Sequence, residues 1–204
     1  MPKLEFWYDF ASTYSYLAAM RIEPLAEAAK VEIAYRPFLL GPIFKAQGLT
    51  TSPFVLNPTK GRYMARDIAR TATARGLAFH VPEPFPAHSL MAARIGMVAE
   101  EEGWIGPFTG AVFAAEFAER ADIATSDTLA RLVAGLGRDP EQVMARAGSE
   151  GIKSALRSRT EVAADKGIFG APTFIAEDGE LFWGDDRLEA ALAWANGTAR
   201  PGAE

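Results

Sequence analysis

The 204-residue chain contains no cysteine, so it forms no disulfide and carries out no thiol redox chemistry of its own. Its two histidines, His80 and His88, have no third metal ligand near them, so the sequence predicts no metal site. No apolar run approaches the roughly 18–20 residues of a membrane span. The net charge of −5, with basic residues spread along the chain, indicates neither a nucleic-acid nor a membrane partner. We expect a cytoplasmic protein, since disulfides are absent.

What the chain does contain is a normal globular composition, with 49% hydrophobic and 23% charged residues. Its pattern alternates between two α/β segments and a helical middle. The predicted strands cover 4–9, 31–36, 171–176 and 181–183, and the predicted helices cover 14–29, 62–75, 88–102, 107–119, 126–136, 140–147, 150–166 and 187–196. The order is therefore βαβ, a helical insertion and ββα, with a right-handed crossover in the first unit.

Several connections are also predicted from turn and capping residues. Residues 39–58 resemble a long loop, which is usually functional. Ser12, Ser126 and Asp139 are predicted helix N-caps, the last with Pro140 at the first helical position. Residues 198–204 are predicted to be a disordered tail, because they have nothing to pack against.

The most informative segment lies between the first strand and the first helix, where Ser12 and Ser15 have the spacing of a Cys-x-x-Cys redox motif. A helix N-terminus favours a negative group, because its first N–H groups lack partners and the helix dipole is positive there. The same environment lowers the pKa of a thiol. In a chain without cysteine, such a site indicates that the thiolate arrives on a ligand. The alternative is that Ser12 is only a helix cap.

Pro172 opens the third predicted strand. It is either an ordinary strand-entry proline or a cis proline of the kind that thioredoxin-like folds place opposite the first helix. In the second case the backbone of Ala171 is free to pair with an extended peptide. The sequence alone does not decide between these two structures.

Charged residues add further candidates. Asp185 and Asp186 precede the last helix, where they either compensate the helix dipole or receive a ligand ammonium group. Lys60 is either a solvated surface lysine or a partner for a ligand carboxylate. His88 follows a stiff proline-rich segment that is able to line a pocket.

Together these motifs resemble the 2-hydroxychromene-2-carboxylate isomerase family, which is related to the kappa-class glutathione transferases and to the DsbA oxidoreductases. The matching segments are FWYDFASTYSYL (6–17), RPFLLG (36–41), PTKGRYM (58–64), FGAPTF (169–174) and FWGDDRL (182–188). Each motif alone is weak, but the set follows the family order over nearly the whole chain.

The resemblance implies an α/β thioredoxin-like fold interrupted by an all-helical inserted domain. The thioredoxin-like domain would comprise residues 1–60 and 167–204, and the insertion 61–166. A homodimer and glutathione as cofactor are also implied. By family correspondence, the catalytic Ser12 would contact the glutathione sulfur, Lys60 the glycine end, Ala171 and Pro172 the cysteinyl part, and Asp185 and Asp186 the γ-glutamyl end.

This chain also departs from the family pattern. The departures are Thr13 in place of a common proline, Thr50 or Thr51 in place of a common asparagine, His88 in place of another asparagine, and Asp185 where serine or asparagine is frequent. Thr50 and His88 would lie on the substrate side of the cleft. Tyr8 is a further candidate for framing the substrate pocket, with a place in the core as its alternative.

The resemblance implies a glutathione-dependent cis-trans isomerase that acts on aromatic hydroxy-pyruvate-like acids by reversible thiolate addition. Two alternatives stay open. One is a kappa-like glutathione transferase that forms a conjugate. The other is a non-catalytic thioredoxin-like module that binds glutathione or thiol peptides.

Overall fold

The computed structural model describes residues 1–199. The strands in this range are β1 (Lys3–Tyr8), β2 (Glu32–Pro37), β3 (Thr173–Ala176) and β4 (Leu181–Trp183). The helices are α1 (Thr13–Ala29), α2 (Leu40–Ala46), α3 (Pro53–Leu56), α4 (Pro58–Ala74), α5 (Leu90–Glu101), α6 (Ile105–Phe113), α7 (Ser126–Gly135), α8 (Pro140–Ala147), α9 (Glu150–Asp165) and α10 (Leu188–Ala195). A π-helical turn (Ala114–Ala118) extends α6, and a 3-10 turn (Asp185–Arg187) leads into α10.

The strands form one mixed sheet in the order β2-β1-β3-β4. β1 and β2 are parallel and connected through α1, whereas β3 is antiparallel to both β1 and β4. Helices α2 to α9 lie between β2 and β3 in the chain. The predicted α/β class with a helical insertion is therefore confirmed, while domain boundaries near residues 60 and 167 stay a prediction.

Side chains of β1 alternate between two apolar clusters on opposite faces of the sheet, because successive residues of a strand point to opposite sides. Phe6 and Tyr8 belong to the larger cluster, which includes residues of α1, α10 and the helical middle. Trp7 belongs to a smaller cluster with Phe38 and Ile175. Burial on both faces fixes β1 at the centre of the sheet, and the candidate site begins where this strand ends.

Residues 39–58 differ from the predicted loop, since they contain the short helices α2 and α3. In addition, α4 begins at Pro58 rather than at residue 62. Asn57 caps this helix by accepting a hydrogen bond from the Lys60 N–H at 3.0 Å, and Pro58 occupies the first helical position, where no N–H is needed. Proline is compatible with a helix start at Pro53 and Pro58 as well as with a turn, which is why the sequence signal was ambiguous.

The predicted N-caps are confirmed at Ser12 and Asp139, but Thr125 rather than Ser126 caps α7. Of the tail predicted to be disordered, residues 200–204 lie outside the described residues. Thr198 lies within them, and its hydroxyl donates to the Ala193 carbonyl at 3.1 Å. In the described part of the chain, no helix has the length and apolar character to cross a membrane.

Candidate active site

Ser12 lies where β1 leads into α1, and it caps that helix. Its backbone is extended, with φ −92° and ψ 114°, and its Oγ accepts from the Ser15 N–H at 3.2 Å. The N–H groups of Thr13 and Tyr14 belong to the first turn, where a helix has no internal acceptor for them. Together with the positive end of the α1 dipole, they make this turn suitable for an anion.

The two serines of the motif have different surroundings. Ser12 is half-buried, and its hydroxyl also donates to the Ala171 carbonyl at 3.1 Å. Ser15 is fully buried, and its Oγ has no hydrogen-bond partner among residues 1–199. Of the pair, Ser12 is therefore the serine that a ligand can reach.

The segment before β3 closes the other side of this turn. The peptide bond between Ala171 and Pro172 is cis, as the resemblance predicted, and the Ala171 carbonyl faces the Ser12 hydroxyl. Gly170 packs against the indole of Trp183, so a Cβ on residue 170 would lie only 2.5 Å from the indole nitrogen. A side chain at residue 170 would therefore require the Trp183 indole to move, and the bond to Ser12 holds Ala171 beside the N-terminus of α1.

Asp9 organises the same turn, although the sequence analysis did not single it out. Its Oδ1 accepts from the Ala11 N–H at 3.0 Å and from the Ser89 hydroxyl at 2.6 Å, and its Oδ2 accepts from the Leu40 N–H at 2.8 Å. Burial raises the pKa of this carboxyl, while the three hydrogen bonds act in the opposite direction. The signal in the sequence that could have identified Asp9 is its place in a turn, because an aspartate there often accepts from the backbone N–H two residues later, as in an Asx turn.

Asp185 is buried and is bound by two arginines. Its Oδ2 lies 2.7 Å from Arg75 Nη1 and its Oδ1 lies 3.3 Å from Arg21 Nε. The Asp185 carbonyl also accepts from Arg21 Nη2 at 2.7 Å. Two guanidinium groups thus already pair with Asp185, and its predicted role at the γ-glutamyl end of glutathione stays a prediction. Through these ion pairs, Asp185 connects α1 and the end of α4 to the turn before α10.

Asp186 and Lys60 are both exposed. Asp186 Oδ2 lies 3.1 Å from Arg187 Nη1, a surface ion pair of small energetic weight. Lys60 Nζ lies 5.8 Å from the centroid of the Phe54 ring, and no carboxylate within residues 1–199 pairs with it. Their roles as partners of a ligand's charged ends stay predictions.

Tyr14, in the first turn of α1, connects these two residues to the Ser12 turn. Its ring centroid lies 6.3 Å from that of Phe54, the ring beneath Lys60. Its hydroxyl donates to Asp67 on α4 at 2.9 Å. The pKa of Tyr14 is raised by burial first, then by Asp67, and also by the negative charge of Asp186. Lys60 and Asp186 thus both lie in the neighbourhood of the α1 N-terminus.

Tyr8 does not line a substrate pocket. The side chain is fully buried and stacks on Phe6 with ring centroids 4.7 Å apart. Its hydroxyl is within 2.6 Å of Thr109 Oγ1, and burial raises the pKa of the phenol. Because Tyr8 faces inward on β1, it is a core residue, which is the alternative named for it above.

Thr50 and His88 are both exposed, and their contacts with substrate stay predictions. Thr50 lies in the turn between α2 and α3, and His88 borders a pocket on the helical side of the molecule. Within residues 1–199 no group of three or more His, Asp or Glu side chains is placed to hold a metal ion.

The groups around the α1 N-terminus match the charges of a tripeptide thiol such as glutathione. The helix end and the Ser12 hydroxyl suit a thiolate, and the Ala171 backbone suits an extended peptide. Lys60 suits a carboxylate, and Asp186 suits an ammonium group. The residues present therefore fit the cofactor that the resemblance implies.

Known proteins with similar sequences and structures cover nearly the whole chain. The family model for the DsbA-like thioredoxin domain matches residues 3–193. A 2-hydroxychromene-2-carboxylate isomerase of Sphingobium xenophagum is 25% identical over 186 residues, covering 91% of this chain and 94% of the relative. Human glutathione S-transferase kappa 1 is 26% identical over 199 residues, covering 91% and 87%. A solved 2-hydroxychromene-2-carboxylate isomerase structure has a TM-score of 0.85 at 25% identity, covering 94% of this chain and 95% of that one.

Proposed function

Because the chain belongs to the DsbA-like thioredoxin family, we propose that it is a glutathione-dependent isomerase of the 2-hydroxychromene-2-carboxylate type. Its substrates would be aromatic hydroxy-pyruvate-like acids. Relatives named as isomerases and as glutathione transferases support an enzyme that uses glutathione. The single observation that carries the proposal is Ser12 at the N-terminus of α1, bonded to Ala171 in a chain without cysteine.

In this proposal the protein supplies the binding of an anion and of an extended backbone. Ser12 donates its hydroxyl hydrogen to the thiolate, replacing its bond to the Ala171 carbonyl. The N–H groups of Thr13 and Tyr14 and the α1 dipole favour the same charge. The Ala171 backbone pairs with the cysteinyl part of the ligand, while Lys60 and Asp186 hold its charged ends.

When bound, glutathione supplies a thiolate that adds reversibly to a conjugated double bond and so permits rotation about it. The residues of this chain act by lowering the pKa of the thiol and by orienting it. Hydrogen bonds to a charged acceptor contribute about 1.5–3 kcal/mol each, which is enough to hold the thiolate near neutral pH. Asp185 contributes indirectly, because its ion pairs with Arg21 and Arg75 fix the turn that carries Asp186.

A second candidate is glutathione conjugation without release, which the similarity to glutathione S-transferase kappa 1 favours. Both reactions use the same thiolate site. Isomerisation gives a product with the same composition as the substrate, whereas conjugation gives a product that keeps glutathione covalently attached. We also propose a homodimer in the cytoplasm, supported by the family resemblance and by the absence of cysteine.

The test is an isomerase assay on 2-hydroxychromene-2-carboxylate with and without glutathione, with the product analysed for a covalent adduct. Isomerisation that requires glutathione and leaves no adduct supports the proposal, whereas adduct formation supports conjugation. In parallel, the ultraviolet absorbance of the thiolate is followed against pH with protein in excess. If the pKa of the bound thiol is no lower than that of free glutathione and no turnover is seen, the protein is a non-catalytic binding module.

A further inference from the structure

A second region of the molecule has chemistry that the Ser12 turn does not use. It is a pocket of about 520 Å³ between the proline-rich segment before α5 and the chain after α6. Its walls include the apolar residues Pro82 and Ile123. Its polar lining consists of His80, His88 and Arg120 and of the three acids Glu83, Glu116 and Asp122. We name it the Glu116 pocket.

Glu116 is the unusual member of this pocket. It is only 1% exposed, and neither carboxyl oxygen has a hydrogen-bond partner among residues 1–199. It lies in the π-helical turn Ala114–Ala118, a type of distortion that recurs at functional sites. Burial raises the pKa of Glu116 well above its ordinary value, and the nearby charges of Asp9 and Asp122 add to this effect. These causes favour the protonated form of the side chain, and a protonated carboxyl has an O–H to donate.

His80 and Arg120 add donors to the same pocket. Arg120 Nη2 lies 2.9 Å from His80 Nδ1. A guanidinium group has no acceptor, so Nδ1 accepts and the ring hydrogen of His80 lies on Nε2. The pocket thus combines hydrogen-bond donors, the Arg120 cation and apolar walls, and it also contains the carboxyl groups of Glu83 and Asp122. The donors and apolar walls suit an apolar ring that carries a carboxylate or carbonyl oxygen, provided that this oxygen lies on the Arg120 side.

The Glu116 pocket is connected to the Ser12 turn through its wall. His88 lines the pocket, and the next residue, Ser89, donates its hydroxyl to Asp9 at 2.6 Å. Asp9 in turn accepts from the Ala11 N–H, directly before Ser12. The charge of Asp9 also acts on Glu116. A ligand in the pocket therefore lies next to the segment that carries the candidate thiolate site.

We propose that the Glu116 pocket binds the aromatic acid substrate, and that Glu116 donates a hydrogen bond to a carbonyl or carboxylate oxygen of that acid. Arg120 is the guanidinium in the pocket lining that can pair with the carboxylate of an organic acid, against the opposing charges of Glu83 and Asp122. This inference rests on the proposed function for the identity of its ligand. It adds a substrate-binding residue, and it explains why an acid without a hydrogen-bond partner among residues 1–199 occupies the interior of the protein.

The experiment measures binding of 2-hydroxycinnamate, an aromatic acid with a conjugated double bond, by calorimetry without glutathione. The variants are Glu116→Gln, which keeps a neutral donor, and Glu116→Leu, which removes it at similar volume. The matched control is Glu119→Leu, on the exposed side of the same segment. We expect the Gln variant and the control to bind like the wild type, and the Leu variant to bind about tenfold more weakly, as loss of one hydrogen bond predicts.

Equal binding by Glu116→Leu and wild type overturns the inference, and so does the absence of binding to the wild type at millimolar probe. Glutathione affinity, measured separately, should be unchanged in all variants. Isomerase activity distinguishes the two proposals. If binding depends on Glu116 but the wild type shows no turnover, the pocket stands and the proposed reaction fails. If turnover depends on glutathione but 2-hydroxycinnamate binds equally well after replacement of Glu116, the proposed reaction stands and the Glu116 pocket is excluded as the substrate site.

Discussion

Asp9 and Glu116 are two buried carboxylic acids in neighbouring regions with opposite surroundings. Asp9 accepts three hydrogen bonds, from Ala11, Leu40 and Ser89, whereas Glu116 accepts none within the described chain. Buried polar groups are normally bonded, since an unpaired one loses its hydration without compensation. The difference indicates that the Asp9 region is built for stability of the site, and that the Glu116 region keeps a polar group available for a ligand.

Replacement of Asp9 is expected to have the largest effect. Asp9→Ala leaves three donors unpaired around one turn, so the free energy of unfolding should fall by about 3 kcal/mol. Urea denaturation of the variant measures this loss, with Ser89→Ala as the control that removes one bond and costs about 1 kcal/mol. A loss for Asp9→Ala no greater than that for Ser89→Ala would contradict the assigned role.

Ser12→Ala tests whether the turn that Asp9 organises contributes to turnover as well as to stability. Loss of its bond to a thiolate should lower turnover about 10–100-fold, from a cost of about 1.5–3 kcal/mol, and loss of the cap should lower the free energy of unfolding by about 1 kcal/mol. Turnover is measured at saturating glutathione. Wild-type turnover in this variant would remove Ser12 from the mechanism.

Glu116→Gln tests the other buried acid, Glu116, through the pH dependence of the free energy of unfolding. Because the pKa of Glu116 is raised in the folded state, the unfolded chain loses this proton first as pH rises above its ordinary value of 4.5. The native protein is therefore stabilised at low pH by this group, and that stabilisation is lost as pH rises through the folded pKa. The Gln variant does not ionise, so it should be more stable than the wild type near neutral pH.

Chemical denaturation across a pH series measures this difference between Glu116→Gln and the wild type. The gain should vanish at and below pH 4.5 and grow above it. Glu119→Gln, on the exposed side, should show no such trend. A constant difference at every pH would mean that Glu116 has the same pKa in the folded and unfolded chains, which would contradict the effect of its burial.

Ser15→Ala should have the smallest effect. The Ser15 hydroxyl is buried without a partner among residues 1–199, so its removal leaves nothing unpaired. We expect the free energy of unfolding to rise by up to about 1 kcal/mol and turnover to stay at the wild-type level. Thermal denaturation and the isomerase assay check this. A loss of turnover equal to that of Ser12→Ala would show that both serines serve the site.

The local features were predictable because neighbouring residues determine them. Ser12 as a cap, the alternating β1 and the β3–β4 hairpin all follow from short-range patterns. The cis bond at Pro172 was expected from the family resemblance, since most X-Pro bonds are trans. The helices within residues 39–58 were missed because proline signals both turns and helix starts, and Pro53 begins a helix.

The sequence by itself determined the alternation of strands and helices, the capped turn at Ser12 and the absence of a protein thiol. Only the tertiary structure decided which polar side chains meet. Asp185 finds Arg21 and Arg75, which lie 164 and 110 positions away, and Tyr8 turns inward to Thr109. Among residues 1–199, the packing of segments that are distant in sequence leaves Glu116 without a hydrogen-bond partner. The physical reason is that local propensity acts over a few residues, whereas burial and ion pairing depend on how the whole chain folds back on itself.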